Sequence, residues 1–263
     1  YEPPRGYAAY FNVEPGFELV CRSTHGYQKH VDLYTYKTSG YLMTSAADFR
    51  PGKPGYQENP LQLTFTPTAQ LWISHPGERA LYGKGRPSYW AGNGTLPRVN
   101  QYKGFATVFY DIAPEHPVDF THLYLPTMEF YLCRVQGPWV FAQEGDTYCA
   151  VYCSAGLTAQ RFGPNAEREF IAPGRRCVWL VRAAETDEFA SFAAFITAML
   201  AAPLEGDAQR LACRFEDPVY GVLRSGWNER LSVNGAAMEY GGSDQYGVLE
   251  LREKQQPAAD AQA

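Results

Sequence analysis

The residues best equipped for chemistry lie in the segment His75–Gly104, where aromatic, amide and guanidinium side chains stand among six glycines and three prolines. Aromatic rings can stack on the CH face of a sugar, and planar amide and guanidinium groups direct hydrogen bonds to hydroxyl or carboxylate groups. Gly92 and Gly94 would let the backbone approach a ligand closely. The sequence therefore predicts a sugar-contacting loop over residues 86–103.

Two readings of this loop remain open. A loop of this length with no strand of its own is usually either functional or disordered, and disorder is disfavoured because Tyr89, Trp90 and Tyr102 are costly to leave in water. The alternative is an ordered Ω-loop that only caps one end of the domain.

His75 and His122 lie at or within strand-like runs nearby. A lone histidine in a strand is more often structural than catalytic.

Other catalytic signatures are missing from the sequence. A paired-carboxylate glycosidase needs two facing acids, and the acids of this region form no compelling pair. They are Glu78, Asp111, Glu115, Asp119 and Glu129. There is no Gly-x-Ser-x-Gly, no phosphate-binding glycine loop, no dinucleotide fingerprint and no zinc-ligand spacing. We therefore predict no cofactor and no metal.

Composition excludes several classes of protein. The chain has 263 residues, of which 45% are hydrophobic, 19% charged and 15% aromatic, which is typical of a compact globule. The formal net charge is −5 and the sequence contains no basic stripe, so nucleic acid is not expected as a partner. The longest apolar run, at residues 189–204, is too short to span a bilayer. Six scattered cysteines permit either disulfides or free thiols, so the compartment stays open.

Short aromatic and β-branched runs between Gly, Pro, Asn and Asp turns predict an all-β fold, a large antiparallel β-sandwich. One amphipathic helix is expected near residues 187–202, capped by Thr186 or Asp187 and ended by Pro203. The predicted domains are an N-terminal extension at 1–27, the sandwich at 28–252 and a flexible tail at 253–263. The predicted strands are Val31–Lys37, Tyr41–Ala47, Leu61–Thr66, Gln70–Ser74, Phe105–Asp111, Phe120–Tyr124, Met128–Val135, Trp139–Gln143, Thr147–Cys153, Leu157–Phe162, Glu167–Ile171, Cys177–Arg182, Arg210–Phe215, Val219–Arg224 and Leu231–Val233.

A set of short motifs over roughly residues 28–250 resembles the C-terminal β-rich half of large bacterial and fungal proteins. Those proteins pair an α-helical toroid with a β-sandwich, an arrangement similar to heparinase II/III-type polysaccharide lyases. The resemblance implies a toroid partner preceding the sandwich, with a polysaccharide cleft between the two. The motifs are Tyr36-Lys37-Thr38, residues 45–52, Gly55-Tyr56-Gln57, His75-Pro76-Gly77, residues 86–94, Pro97-Arg98, Gln101-Tyr102-Lys103, Thr121-His122 and residues 145–150.

The resemblance also implies roles in a β-elimination on a uronate-containing glycan. In such a reaction a Tyr or His removes the proton next to the carboxylate, and Asn, Arg or His neutralises that carboxylate. The candidate catalytic residues are Tyr89 and Tyr102 as base or acid, Asn93 and Arg98 as carboxylate neutralisers, and His75 or His122 as a partner from the sandwich. The candidate substrate contacts are Trp90, Arg86, Gln101 and Lys103. The alternatives are a non-catalytic carbohydrate-binding or support domain, and a glycoside hydrolase module.

Overall fold

The computed structural model describes residues 8–25, 31–240 and 247–254. Over these residues the chain is all-β, as predicted, and its strands form three antiparallel sheets. Tight turns between strands contain glycines with positive φ, such as Gly145 at 55° and Gly235 at 84°. This combination of β-branched or aromatic runs with left-handed turn residues favours antiparallel pairing. The strands are numbered β1 to β20 in chain order.

The largest sheet has nine strands and includes the strand of His122, on which Tyr89 and Trp90 of the predicted loop pack. Its strands alternate between inward and outward residues, as in Val31–Lys37, where Asp32, Tyr34 and Tyr36 are the buried positions. The strands are β1 Phe17–His25, β2 Val31–Lys37, β3 Leu42–Ala47, β4 Leu61–Thr64, β5 Gln70–Ser74, β8 Phe120–Tyr124, β12 Thr158–Ala159, β13 Glu169–Pro173 and β20 Val248–Glu253. Their order across the sheet is β12-β13-β8-β5-β4-β3-β2-β1-β20.

The second sheet has six strands, and its inner strands are buried on both faces, whereas its edge strand Leu132–Gln136 is mostly exposed. Its central strand is buried from Cys177 to Glu185, which explains why that segment is an almost continuous apolar run with no clear alternation. The strands are β6 Arg98–Tyr102, β7 Phe105–Asp111, β9 Leu132–Gln136, β10 Trp139–Glu144, β11 Thr147–Cys153 and β14 Arg176–Glu185. Their order is β6-β7-β14-β11-β10-β9, and a short 3-10 helix, Thr127–Glu129, precedes β9.

A third layer covers the far face of the six-stranded sheet. It consists of helix α2, Phe192–Ala201, and a small five-stranded sheet, so the domain has one layer more than a simple two-sheet sandwich. A four-residue helix, α1, spans Ala8–Phe11. The strands of the small sheet are β15 Leu204–Asp207, β16 Ala212–Asp217, β17 Gly221–Gly226, β18 Ser232–Val233 and β19 Ala236–Ala237.

Two hydrophobic clusters hold these layers together. The first fills the space between the nine-stranded and six-stranded sheets, with Met43, Leu71 and Trp179 among its fully buried members. The second lies between the six-stranded sheet and the third layer, and includes Phe195 of α2 and Phe215 of β16. All six cysteines are free thiols, so packing rather than disulfide bonding stabilises the layers.

The helix begins later than the sequence predicts. α2 starts at Phe192 and Ser191 is its N-cap, because the Ser191 hydroxyl accepts the backbone N–H of Ala194. Asp187, one of the two predicted caps, instead pairs with Lys254 at 2.9 Å. The predicted helix at 187–202 was therefore about five residues too long at its start.

The prediction that residues 75–104 contain no strand was wrong at its C-terminal end. Arg98–Tyr102 forms β6, because its backbone pairs antiparallel with β7. The predicted extension at 1–27 also contains a full strand, β1, which pairs with β2 and β20. Residues 255–263 of the predicted tail lie outside the described residues.

Candidate functional site

The loop of residues 75–97 folds over the outer face of β8 and places two aromatic residues on a histidine. The indole of Trp90 stacks flat on the imidazole of His122, with ring centroids 4.2 Å apart and an interplanar angle of 7°. The Tyr89 ring meets the same imidazole edge-on at 5.0 Å. Three of the predicted site residues, Tyr89, Trp90 and His122, are therefore brought together.

Glu169 on β13 contacts both Tyr89 and His122. Its Oε1 atom accepts the Tyr89 hydroxyl at 2.6 Å and contacts His122 Nδ1 at 2.7 Å. A carboxylate can only accept, so Nδ1 carries the proton and His122 Nε2 has its lone pair free. Nε2 is buried and has no hydrogen-bond partner among the described residues.

The pKa shifts of these groups follow from burial and from this contact. Burial opposes the ionisation of Glu169, but the hydrogen bonds from His122 and Tyr89 outweigh it and lower its pKa. Burial lowers the pKa of His122, and the Glu169 carboxylate and Tyr89 carbonyl offset this only in part. Burial and Glu169 raise the pKa of Tyr89. The cluster is therefore a neutral imidazole held by a carboxylate, which is the state that a general base requires.

A second pair of aromatic residues extends the site along the sheet. Trp72 of β5 and Tyr124 of β8 are directly opposite in the register and stack at 4.0 Å, with an interplanar angle of 13°. Trp90 meets Tyr124 edge-on at 5.5 Å, and its Nε1 donates to Asn165 at 3.2 Å. Trp72, Trp90 and Tyr124 are each half-buried, so their rings form a partly accessible aromatic surface.

Two other predicted catalytic residues support the loop from inside. Asn93 is fully buried, and its Oδ1 accepts the backbone N–H of His75 at 2.9 Å and the Tyr110 hydroxyl at 2.7 Å. Its Nδ2 donates to the Glu58 carbonyl. The Nε2 atom of His75 lies 3.1 Å from the Val118 carbonyl oxygen, and its Nδ1 atom accepts the backbone N–H of Thr95. In this structure Asn93 and His75 make internal contacts.

The remaining predicted residues lie away from the Trp90 cluster. Tyr102 meets Tyr220 edge-on at 5.4 Å, and Lys103 Nζ pairs with Glu18 at 3.0 Å. Arg86 is exposed and donates to the Gly85 carbonyl. Arg98 forms an ion pair with Asp48, and Gln101 donates to the backbone carbonyls of Met43 and Lys103.

Lys103 lines a separate cavity of about 1050 Å³ where the three sheets meet. Around it Glu18 accepts from Tyr36, Lys103 and Arg252, while Lys254 pairs with Glu185. These groups satisfy one another, so they stabilise the junction of the layers. Two of the acids considered for a glycosidase are separately paired with arginines, Asp111 with Arg176 and Asp119 with Arg79.

Sequence reasoning missed Glu169, Trp72 and Tyr124, although all three belong to the same surface as Trp90. The one local signal for Glu169 was its place directly before the apolar run Phe170-Ile171-Ala172. The structure shows that its carboxylate is buried and therefore needs a partner. Trp72 and Tyr124 look like ordinary strand aromatics. Only the pairing of β5 with β8 reveals that they stack.

His75 makes a pH-dependent contribution to stability. Burial lowers the pKa of its imidazole to about 3, whereas an unfolded histidine titrates near 6.5. Between these values the unfolded chain binds the extra proton, so the free energy of unfolding falls as the pH is lowered. From pH 7.5 to 5.5 we expect His75 to account for a loss of about 1.4 kcal/mol.

The measurement is urea unfolding at both pH values for the wild type and for His75→Gln. The substituted protein should be less stable throughout but should lose about 1.4 kcal/mol less between the two pH values. An unchanged pH dependence in His75→Gln would contradict the assignment of a neutral, buried imidazole.

Residues 8–25, 31–240 and 247–254 contain no group of three or more His, Cys, Asp or Glu side chains placed to hold a metal ion. In the same ranges, no helix has the length and apolar character that crossing a membrane requires.

Comparison with known proteins returned no match: no family model, no curated protein and no solved structure aligns significantly with the chain.

Proposed function

We propose that this chain is the β-sandwich part of a carbohydrate-active protein and that it binds a glycan over Trp90. The observation that carries the proposal is the half-buried aromatic surface of Trp72, Tyr124 and Trp90, with the His122–Glu169 pair beneath it. Flat aromatic rings bind the CH faces of sugars, and nearby polar groups orient the hydroxyls. No other region described above combines partly accessible aromatic rings with an imidazole nitrogen that lacks a partner among the described residues.

The reaction that we propose is β-elimination on a uronate-containing glycan, with His122 Nε2 as the proton acceptor. Glu169 supports this role because it holds Nδ1 protonated and leaves the Nε2 lone pair available. The remaining groups would come from an α-helical toroid partner, as the resemblance implies.

A second candidate is a non-catalytic glycan-binding or support domain. The observation that favours it is the placement of Asn93 and Arg98, the residues predicted to neutralise a uronate carboxylate. Asn93 bonds to His75, Tyr110 and Glu58, and Arg98 pairs with Asp48. Neither side chain is available to a ligand without breaking these contacts.

Replacing Trp90 with alanine should weaken glycan binding at least about tenfold, because losing a central aromatic contact costs about 1.4 kcal/mol or more. Calorimetric titration with a cello-oligosaccharide and an oligogalacturonate measures the affinity and tests whether the carboxylate contributes. The matched control is Phe11→Ala, which removes a 61% exposed aromatic beside β2, several strands away.

Equal affinity in Trp90→Ala and the wild type would remove the Trp90 surface from the proposed function. The same titrated samples can be followed by ultraviolet absorbance, since elimination creates an unsaturated uronate. Binding of the oligogalacturonate without that absorbance would favour the non-catalytic candidate.

A further inference from the structure

Ser74, His122 and Glu169 lie on three neighbouring strands of the nine-stranded sheet, with Ser74 directly opposite His122 and Glu169 opposite Tyr124, two residues along from His122. β8 is flanked by β5 on one side and by β13 on the other. Ser74 of β5 is directly opposite His122 of β8 in the register, so the two side chains emerge on the same face. Directly opposed residues have Cβ atoms about 5 Å apart, which puts a serine hydroxyl within reach of an imidazole.

The contact with Glu169 leaves Nε2 as the His122 nitrogen available to a group on the opposite strand. Nδ1 faces Glu169 on the β13 side, at 2.7 Å. The two ring nitrogens of an imidazole point in different directions, so Nε2 does not face Glu169. Ser74 is the residue that β5 presents opposite His122.

Ser74 Oγ and His122 Nε2 share a further property. Both side chains are fully buried, and neither atom has a hydrogen-bond partner among the residues that the structure describes. A buried polar atom without a partner is destabilising, and two of them on adjacent strands call for an explanation. Groups that serve a bound ligand are one such explanation.

We propose that Ser74 is a nucleophile for acyl transfer, with His122 as its general base, and that the substrate is an ester such as an O-acetyl group on a glycan. This inference rests on the proposed function, because the glycan would bind on the same face over Trp90. Glu169 is a positioning residue, since it acts only by holding Nδ1. A spatial arrangement of Ser, His and Glu carries out acyl transfer on unrelated folds, and it does not require a Gly-x-Ser-x-Gly turn.

The reaction balances without any oxidant or metal. Ser74 Oγ bonds to the ester carbonyl carbon while its proton moves to His122 Nε2. The bond between that carbon and the sugar oxygen then breaks, and the sugar leaves with the proton as a free hydroxyl. Water, activated by the same Nε2, cleaves the acyl-serine and releases the carboxylic acid.

Trp90 controls access to this pair. Its indole stacks on the imidazole with ring centroids 4.2 Å apart, so we expect an ester to reach His122 only when the ring is displaced. Removing the ring should therefore increase the reactivity of Ser74 while weakening glycan binding. These opposite effects of one substitution separate the acyl-transfer inference from the proposed function.

The experiment is labelling with an alkyl fluorophosphonate, followed by intact-protein and peptide mass spectrometry. Wild type should form one adduct, at Ser74, and Trp90→Ala should form it faster. Ser74→Ala should form none, and His122→Gln should react at least about 100-fold more slowly because the general base is gone. The matched control is Ser45→Ala, since Ser45 is also a buried strand serine with no partner for its Oγ among the described residues.

Glu169→Gln tests the positioning role by the pH profile of labelling. Glu169 raises the pKa of His122, so its removal should move the acid limb of the profile to lower pH. A merely structural role would lower the rate without moving that limb.

Absence of a Ser74 adduct in both wild type and folded Trp90→Ala overturns the inference, as does equal labelling of His122→Gln and wild type. Oligosaccharide titration of the same wild-type sample separates the two ideas. Binding without an adduct overturns acyl transfer and leaves the proposed glycan site standing. An adduct without binding overturns the glycan site and the glycan ester as substrate, and it leaves only Ser74 as a nucleophile.

Discussion

Asn93→Ala should lower the free energy of unfolding by about 3 kcal/mol. The substitution leaves the buried His75 N–H, the Tyr110 hydroxyl and the Glu58 carbonyl short of one partner each. Each such loss costs about 1–3 kcal/mol, and the total stays near the lower end because the Tyr110 hydroxyl keeps the Ile73 carbonyl at 3.3 Å. Urea unfolding at pH 7.5 measures the change.

Asn100→Ala is the matched control for this prediction. Asn100 is equally buried, but its Nδ2 already lacks a partner in the part of the chain that the structure describes. We therefore expect a loss of only about 1 kcal/mol. Equal losses in the two proteins would contradict a special anchoring role for Asn93. A stable Asn93→Ala protein that had lost only catalysis would instead support the carboxylate-neutralising role that the resemblance implies.

Arg182→Met should lower the free energy of unfolding by about 3–5 kcal/mol, because it leaves buried carboxylates without their cation. The fully buried guanidinium donates to Asp217 at 2.6 Å and to Glu188 at 2.5 Å, and it lies 4.1 Å from the centre of the Tyr220 ring. These contacts join the six-stranded sheet to the turn between β16 and β17. Chemical unfolding measures the loss.

The pH dependence of the Arg182→Met effect gives a second readout. Burial raises the pKa of Glu188, although Arg182 offsets part of that rise. Without Arg182 the pKa of Glu188 should rise further, so the carboxyl group becomes neutral at a higher pH. The destabilisation caused by Arg182→Met should therefore shrink as the pH is lowered.

The control for Arg182 is Arg176→Met, on the same strand. Arg176 pairs with Asp111 at 3.1 Å, but both side chains are more than 40% exposed. Solvent screens such a pair, and its loss should cost less than about 1 kcal/mol. If Arg182→Met proved no more harmful than Arg176→Met, the idea that Arg182 joins the layers would be wrong.

The fold class and many of the strands could be predicted from the sequence, because strand formation leaves a local pattern. Val31–Lys37 and Phe120–Tyr124 have the same bounds in prediction and structure. Predictions failed where a segment's role depends on a distant partner. Arg98–Tyr102 contains few strand signals, and it is a strand because β7 satisfies its backbone.

The candidate site could be predicted only in part. Tyr89, Trp90 and His122 stood out as aromatic and imidazole groups in or near a long loop, and the structure places them in contact. Glu169 could not be found in this way, since it is 80 residues from Tyr89 and 47 from His122. Its meeting with both depends on the order β13-β8-β5, which no local pattern encodes.

The sequence by itself determined that this chain forms antiparallel β-sheets and that an aromatic, glycine-rich loop interrupts them, because side-chain alternation and turn chemistry act over a few residues. Only the tertiary structure decided which polar side chains of that loop are internal supports and which meet a distant carboxylate. The physical reason is that a buried polar group forms hydrogen bonds with the groups that lie next to it in the packed structure. Those groups are set by strand order and register rather than by neighbours in the chain.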